Sequence, residues 1–518
     1  MKYARTLMIQ GVASTVGKST LVTGLCRIFA QQGLRVAPFK AQNMALNSFV
    51  TRNGGEIGRA QAVQAEAAGI EPTVDMNPIL LKPEGHSRSQ VIVLGRPLET
   101  MEAQNYYRNR AGLFTIVEHA LARLRSEYDL VIIEGAGSPV ELNLANYDLV
   151  NMRIAHLAEA PVLLVGDIDR GGIFASLLGT LMLFPPQDRA RVQGLIVNKF
   201  RGDLALWREG EQLLAERSGL PVMGTVPFFR NIFIAEEDTV ALENGTAAIL
   251  HSQNQQQNQL EIVVVRLPYL SNYDEFDALA TEPGVHLRFA ASPAEFPPEP
   301  DLIIIPGTKN TLSDLAWLWQ RGLAQHIRQL AKDGCALLGI CGGYQMLGER
   351  VSDPSGSEVQ AGTVEPGLHL LPVETVFESL SEKTTLQCQA QLTPSATHGL
   401  FAHLSTQKFQ AYQIHLGRTT ATSNNDLNSN GAFHVSTSES KDGWLSPDGW
   451  YAGCYLHGLF ENAAFRRGII EALAKRRTDQ PVLSDRPVFD RLDEYDKLAA
   501  VLRAHLDIAR IKALCRLT

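Results

Sequence analysis

Ala336-Leu337-Leu338-Gly339-Ile340-Cys341-Gly342-Gly343-Tyr344-Gln345 is an apolar run that ends at a cysteine set among three glycines. Such a run predicts a buried strand and then a tight turn into a helix. Glycine permits the backbone angles that this turn needs and that a side chain forbids. The turn lifts the cysteine sulfur clear of the sheet, and the N-terminus of the next helix favours its thiolate. A buried structural cysteine is the ordinary alternative, but core strands seldom carry three flanking glycines. The stretch therefore predicts an α/β sheet and a thiol nucleophile together.

A thiol nucleophile needs a base. Downstream, Tyr451-Ala452-Gly453-Cys454-Tyr455-Leu456-His457-Gly458 ends a predicted strand with a histidine and a glycine. His457 can take the thiol proton and return it to a leaving group. His415, in Tyr412-Gln413-Ile414-His415, is the competing base and ranks below it. The loop Pro306-Gly307-Thr308-Lys309, after the apolar run Leu302–Ile305, offers the Gly307 amide to an oxyanion, and Gly342 offers a second donor.

The same alternation fills the first half of the chain. Thr6–Gly11, Arg35–Lys40, Leu130–Gly135, Val162–Asp167 and Gly194–Lys199 read as buried parallel strands with helices between them, the pattern of a doubly wound sheet. Ligands of such sheets lie beyond the carboxyl ends of the strands. There stands Gly11-Val12-Ala13-Ser14-Thr15-Val16-Gly17-Lys18-Ser19-Thr20, a glycine loop between strand and helix, one residue longer than the usual phosphate-loop spacing. Backbone amides of such a loop cradle phosphates, Lys18 neutralises them, and Ser19 can reach Mg²⁺. Gly11, Thr15, Val16, Gly17, Lys18, Ser19 and Thr20 are the expected ATP contacts. Carboxylate candidates for the metal are Glu134 and Glu56, ahead of Asp167 and Asp169. Lys40 and Asp148 are the candidates for contacting a substrate.

Bulk properties bound the rest. The chain has 518 residues, 45% hydrophobic and 20% charged, with a net charge of −8 and no long basic run. These values fit a globular protein of several cores and disfavour nucleic acid or an anionic membrane as a partner. No signal-like N-terminal segment and no membrane-length apolar run is visible. The six cysteines lack metal or paired spacing and read as reduced thiols, so a cytoplasmic location is expected. The amide-rich tract 251–260 reads as a linker. The expected division is 1–250 as a nucleotide-dependent domain, 261–465 as the thiol domain and 466–518 as a helical extension. The polar stretch Ser423–Ser440 is expected to be a surface loop.

Together these motifs resemble known families. The elbow around Cys341 with the later His457 resembles class I glutamine amidotransferases. The Gly11–Thr20 loop with Glu134-Gly135-Ala136-Gly137 resembles dethiobiotin-synthetase-like ATPases. Fusion in this order resembles the corrinoid amidases of cobalamin synthesis. Pro38-Phe39-Lys40-Ala41-Gln42-Asn43-Met44, Glu56-Ile57-Gly58-Arg59-Ala60-Gln61 and Pro306-Gly307-Thr308-Lys309 look specifically like the branch that forms cobyric acid. The resemblance implies that glutamine is hydrolysed at Cys341. It implies that ATP with Mg²⁺ activates carboxylates of adenosylcobyrinic acid a,c-diamide, which ammonia then amidates at positions b, d, e and g. Glutamine and that corrinoid are the expected partners, with a second copy of the chain admitted. The nearest rival is cobyrinic acid a,c-diamide synthase. More distant rivals are a partition-type P-loop switch and a cysteine peptidase. Two departures stand out. Class I enzymes usually carry a glutamate two residues after the histidine, where this chain has Leu459, with Glu461 a weak substitute. The tyrosine motif has Gln413 where a glutamate is usual.

Overall fold

The computed structural model describes residues 3–85, 88–102, 110–235, 259–404, 407–422, 431–437, 441–478 and 489–517. Most of the expected linker, 251–258, lies outside these residues, as do 423–430 and 438–440 of the expected loop. The chain divides into two compact units. One comprises Met1–Ala45, Gly55–Ala235 and Asp490–Thr518; the other comprises Leu46–Gly54 and Glu236–Phe489.

The first unit is built on a six-stranded sheet. Its order is Val222–Pro227, Val192–Phe200, Val162–Asp167, Arg5–Gly11, Leu130–Glu134 and Val36–Phe39. Every neighbouring pair is parallel. The runs are apolar throughout because both faces are covered. Leu7 and Ile9 enter one core with Leu21, Leu25 and Phe29. Met8, between them, enters the other with Val117, Leu121 and Ile154. Five of the six strands coincide with the apolar runs of the sequence. A separate four-stranded sheet, Gln42–Met44, Ile79–Gly85, Arg88–Val93 and Arg96–Glu102, has no counterpart in the sequence reading.

The second unit carries a six-stranded sheet in the order Val285–Ala290, Leu260–Val265, Leu302–Ile305, Ala336–Ile340, Tyr451–Cys454 and Trp444–Leu445. Only the last pair is antiparallel. A second sheet of this unit, antiparallel throughout, contains Thr384–Leu392, Phe409–His415 and Leu456–His457. Its register sets His457 opposite Tyr412.

The expected single extension 466–518 divides between the units. Ala463–Thr478 belongs to the second, where Phe465, Ile469, Ile470 and Leu473 are core residues and Arg466 pairs with Glu282 at 2.9 Å. Arg491–His505 and Ile508–Leu514 return to the first. Leu498, Ala499, Leu502 and Ile511 complete the core that holds Leu7 and Ile9. Gly24 makes the return close: a Cβ there would stand 2.3 Å from Leu502 Cδ1. Amphipathic spacing predicts a helix and its apolar face, but it does not say which core that face completes. Among the described residues no helix is long and apolar enough to cross a membrane.

Candidate active sites

The elbow forms as its glycines predict. The strand Ala336–Ile340 ends at Cys341, which has φ 52° and ψ −109°, and the helix Gly342–Leu347 starts at once. That backbone is strained for any residue with a side chain. The close packing leaves little choice, since a Cβ at Gly343 would stand 1.8 Å from the Ile305 carbonyl oxygen and one at Gly339 would stand 2.7 Å from the Gly343 carbonyl oxygen. Cys341 is 6% exposed, and its Sγ approaches the Ile414 carbonyl oxygen at 3.4 Å. The other five cysteines are also buried, and burial pushes the thiols of Cys26, Cys335, Cys388, Cys454 and Cys515 above their ordinary values.

His457 is brought to Cys341. Burial alone would lower its pKa, but the Glu275 carboxylate, a hydrogen bond with Cys341 and the charge of Cys341 outweigh it and hold the imidazole up at about 10. Tyr412 stacks on the ring, centroids 5.1 Å apart and planes 14° from parallel. Gly307 lies at its edge, where a Cβ would meet Cε1 at 2.7 Å. Gly342 lies against the same loop, since a Cβ there would meet Thr308 Cγ2 at 2.6 Å. The two expected oxyanion donors thus flank the Cys341–His457 pair. His415 is turned to another task. Burial first, then the charge of His457, lower its pKa to about 4, while its Nδ1 lies 3.0 Å from the Gly417 carbonyl oxygen.

Glu275 escaped the sequence reading. Its Oε1 lies 3.0 Å from His457 Nδ1, and its Oε2 accepts the Gly458 amide at 3.0 Å. Both side chains are buried. Leu459, at the usual glutamate position, is core, whereas Glu461 is exposed. The available signal was a cluster of three acids, Asp274, Glu275 and Asp277, in the segment after the strand Leu260–Val265. Gln413 hydrogen-bonds Asp442, so it serves this unit without a charge.

The phosphate loop forms between the strand Arg5–Gly11 and the helix Lys18–Gln31. Thr15 and Gly17 take positive φ, 59° and 96°. Asn198 Nδ2 holds the loop through the Val16 carbonyl at 2.8 Å, and Lys199 Nζ holds it through the Thr15 carbonyl at 2.7 Å. Lys18 Nζ is folded back onto the Ala13 carbonyl at 2.9 Å and the Gly137 carbonyl at 3.3 Å. A Cβ at Gly11 would fill the loop's concavity, 2.5 Å from Val16 Cγ2 and 3.1 Å from Lys18 Nζ.

Glu134 stands beside the loop at the end of its strand. Its Oε1 accepts from Ser19 Oγ at 2.9 Å and Lys40 Nζ at 3.0 Å, and its Oε2 accepts from Gln64 Nε2. Burial pushes its pKa up, but the Lys40 charge and these three hydrogen bonds outweigh burial and keep it below the ordinary carboxylate value. Ser19, Lys40 and Glu134 are thus brought together. Glu56 is buried and paired with Lys82 at 2.7 Å. Asp148 accepts the amides of Val150, Asn151 and Arg153 where the chain enters the helix Met152–Leu157. Asp167 pairs with Lys199 at 3.1 Å and Asp169 with Arg201 at 2.7 Å. Among the described residues no three acidic, histidine or cysteine side chains form a metal cluster.

Residues 7–240 match the CobQ/CobB/MinD/ParA nucleotide binding domain, and residues 261–465 match the CobB/CobQ-like glutamine amidotransferase domain. Cobyric acid synthase of Dehalococcoides mccartyi strain CBDB1 is 49% identical over 99% of this chain and 99% of its own. The chain belongs to the cobyric acid synthase family. A second member, from Sorangium cellulosum, is 47% identical over 98% of each chain. Membership of the cobyric acid synthase family makes this chain a glutamine-dependent amidotransferase ligase of cobalamin biosynthesis, acting on corrinoid carboxylates. Among solved structures, PurLQS from Thermotoga maritima is similar at TM-score 0.32 and 16% identity, over 42% of this chain and 99% of that chain. A likeness that weak says nothing about function.

Proposed function

We propose that the chain converts adenosylcobyrinic acid a,c-diamide to adenosylcobyric acid by amidating the b, d, e and g carboxylates with ATP and glutamine. The observation that carries this reading is that a phosphate loop and a strained cysteine paired with a histidine occur in one chain of this family.

In the second unit, His457 holds the proton taken from Cys341 as an imidazolium, and the thiolate attacks the glutamine amide carbon. The amides of Gly307 and Gly342 stabilise the oxyanion. His457 gives the proton to the departing nitrogen, ammonia leaves, and water hydrolyses the thioester to glutamate. In the first unit, a corrinoid carboxylate oxygen attacks the γ-phosphorus of ATP and ADP departs. Ammonia adds to the acyl phosphate carbon, phosphate leaves, and the nitrogen loses a proton to give the amide. Lys18 and the loop amides offset phosphate charge. Ser19 and Glu134 fit Mg²⁺, since a hydroxyl and an ionised carboxylate share one hydrogen bond beside the loop. When bound, Mg²⁺ supplies Lewis acidity toward the phosphate oxygens and keeps some water ligands. Lys40 holds Glu134 ionised.

Product masses test the reading. Supplied with the a,c-diamide, ATP and glutamine, the protein should yield four successive amidations. Turnover of cobyrinic acid to its a,c-diamide, with the a,c-diamide left untouched, would establish the rival synthase instead.

A further inference from the structure

We propose that Glu275 is the positioning residue of the thiol site, and that it replaces the missing glutamate at Leu459 from a segment 182 positions before His457. The inference rests on the reading of Cys341 and His457 as nucleophile and base. The carboxylate is held at both oxygens, one on His457 Nδ1 and one on the Gly458 amide, each at 3.0 Å. With Nδ1 committed to Glu275, the proton of a neutral ring sits on Nδ1 and the Nε2 lone pair is left for the thiol. When Nε2 takes that proton, the adjacent carboxylate stabilises the imidazolium.

The surroundings make this a built arrangement. Glu275 lies in the single turn Tyr273–Phe276, entered through Asn272 at φ 56°. That turn is clamped by the segment Leu46–Gly54 of the same unit. Asn47 Oδ1 accepts the Asn272 amide at 2.7 Å, and Asn272 Oδ1 accepts the Ser48 amide at 2.9 Å. On the other side, Phe276 packs against Phe460, ring centroids 6.0 Å apart, beside the turn that follows His457. The imidazole is therefore fixed by Glu275 at Nδ1, by Tyr412 on one face and by Gly307 at its edge. A carboxylate at Leu459 would have to displace a side chain that is 1% exposed in the core.

The test is Glu275→Gln in the full chain. Glutamate release from glutamine should fall by about 10²- to 10⁴-fold in kcat, with KM little changed. The pH profile should shift as the imidazolium loses its partner, and amidation with added ammonia should keep the wild-type rate. An unchanged kcat and pH profile would overturn the proposal. Equal loss of the glutamine- and ammonia-dependent rates would also overturn it, because the residue would then be structural. Should that variant not fold, Glu275→Asp carries the test: it keeps the charge but shortens its reach, so a lower glutamine-dependent kcat with an intact ammonia rate supports the role, and an unchanged kcat overturns it. Cys341→Ala, assayed in parallel, separates the two claims. Glutamine-dependent turnover surviving in that variant would sink the nucleophile assignment itself, whereas its loss beside a wild-type-like Glu275→Gln would sink only Glu275.

Discussion

The phosphate loop and the thiol elbow are both strand–turn–helix junctions at the ends of parallel strands, yet they are assembled differently. The loop draws its essential parts from ten successive residues, Gly11 to Thr20, and works through backbone amides. Distant groups such as Asn198 and Lys199 only brace it. The thiol site draws on Glu275, Gly307, Cys341 and His457, four segments that meet only when two sheets of the unit are complete. A site made of one segment tolerates change elsewhere. A site made of four is sensitive to each element that sets a distance.

Separate substitutions should break this pair of sites independently. Cys341→Ala is expected to lower glutamine-dependent amidation by at least about 10³-fold, because its nucleophile is lost, and to leave ammonia-dependent amidation intact. Steady-state assays with each nitrogen source check this. Lys18→Ala is expected to lower amidation by about 10²- to 10³-fold with either nitrogen source, because charge stabilisation on the phosphates is lost. Glutamate release should persist in that variant; if it vanishes too, the sites are not chemically separate. Gly307→Ala should act on the thiol site alone. The added methyl must displace His457, from which it would stand 2.7 Å at Cε1, so kcat for glutamine hydrolysis should fall about 10- to 100-fold.

The smallest expected effect is on stability. Burial opposes the His457 imidazolium, but Glu275 and Cys341 prevail and raise its pKa from 6.5 to about 10. A raised pKa favours the folded protein fully below about 6.5 and progressively less as pH climbs through 10. Thermal unfolding followed from pH 6.5 upward should show this loss, and Glu275→Gln should flatten it. The same slope in the variant would place the titration elsewhere.

Much of this was legible in the chain because the signals are local. Apolar runs coincide with five strands of the first sheet, and glycines coincide with the turns at Gly17 and Cys341. Local reading failed where residues act at a distance. It did not show that Asp148 accepts the Val150 and Asn151 amides or that Glu56 pairs with Lys82. Nothing near Glu275 marks it off from Asp274 and Asp277, and its partner lies in a strand remote in the sequence.

By itself the sequence determined the two strand–turn–helix junctions, since φ, ψ and side-chain alternation are set by neighbours along the chain. Tertiary structure alone decided three other things. It placed Arg491–Leu514 on the N-terminal core, carried Leu46–Gly54 into the second unit, and supplied His457 with a carboxylate from Glu275. Each depends on which buried surfaces fit and which buried charges find partners, and those are properties of packed elements rather than of a local stretch.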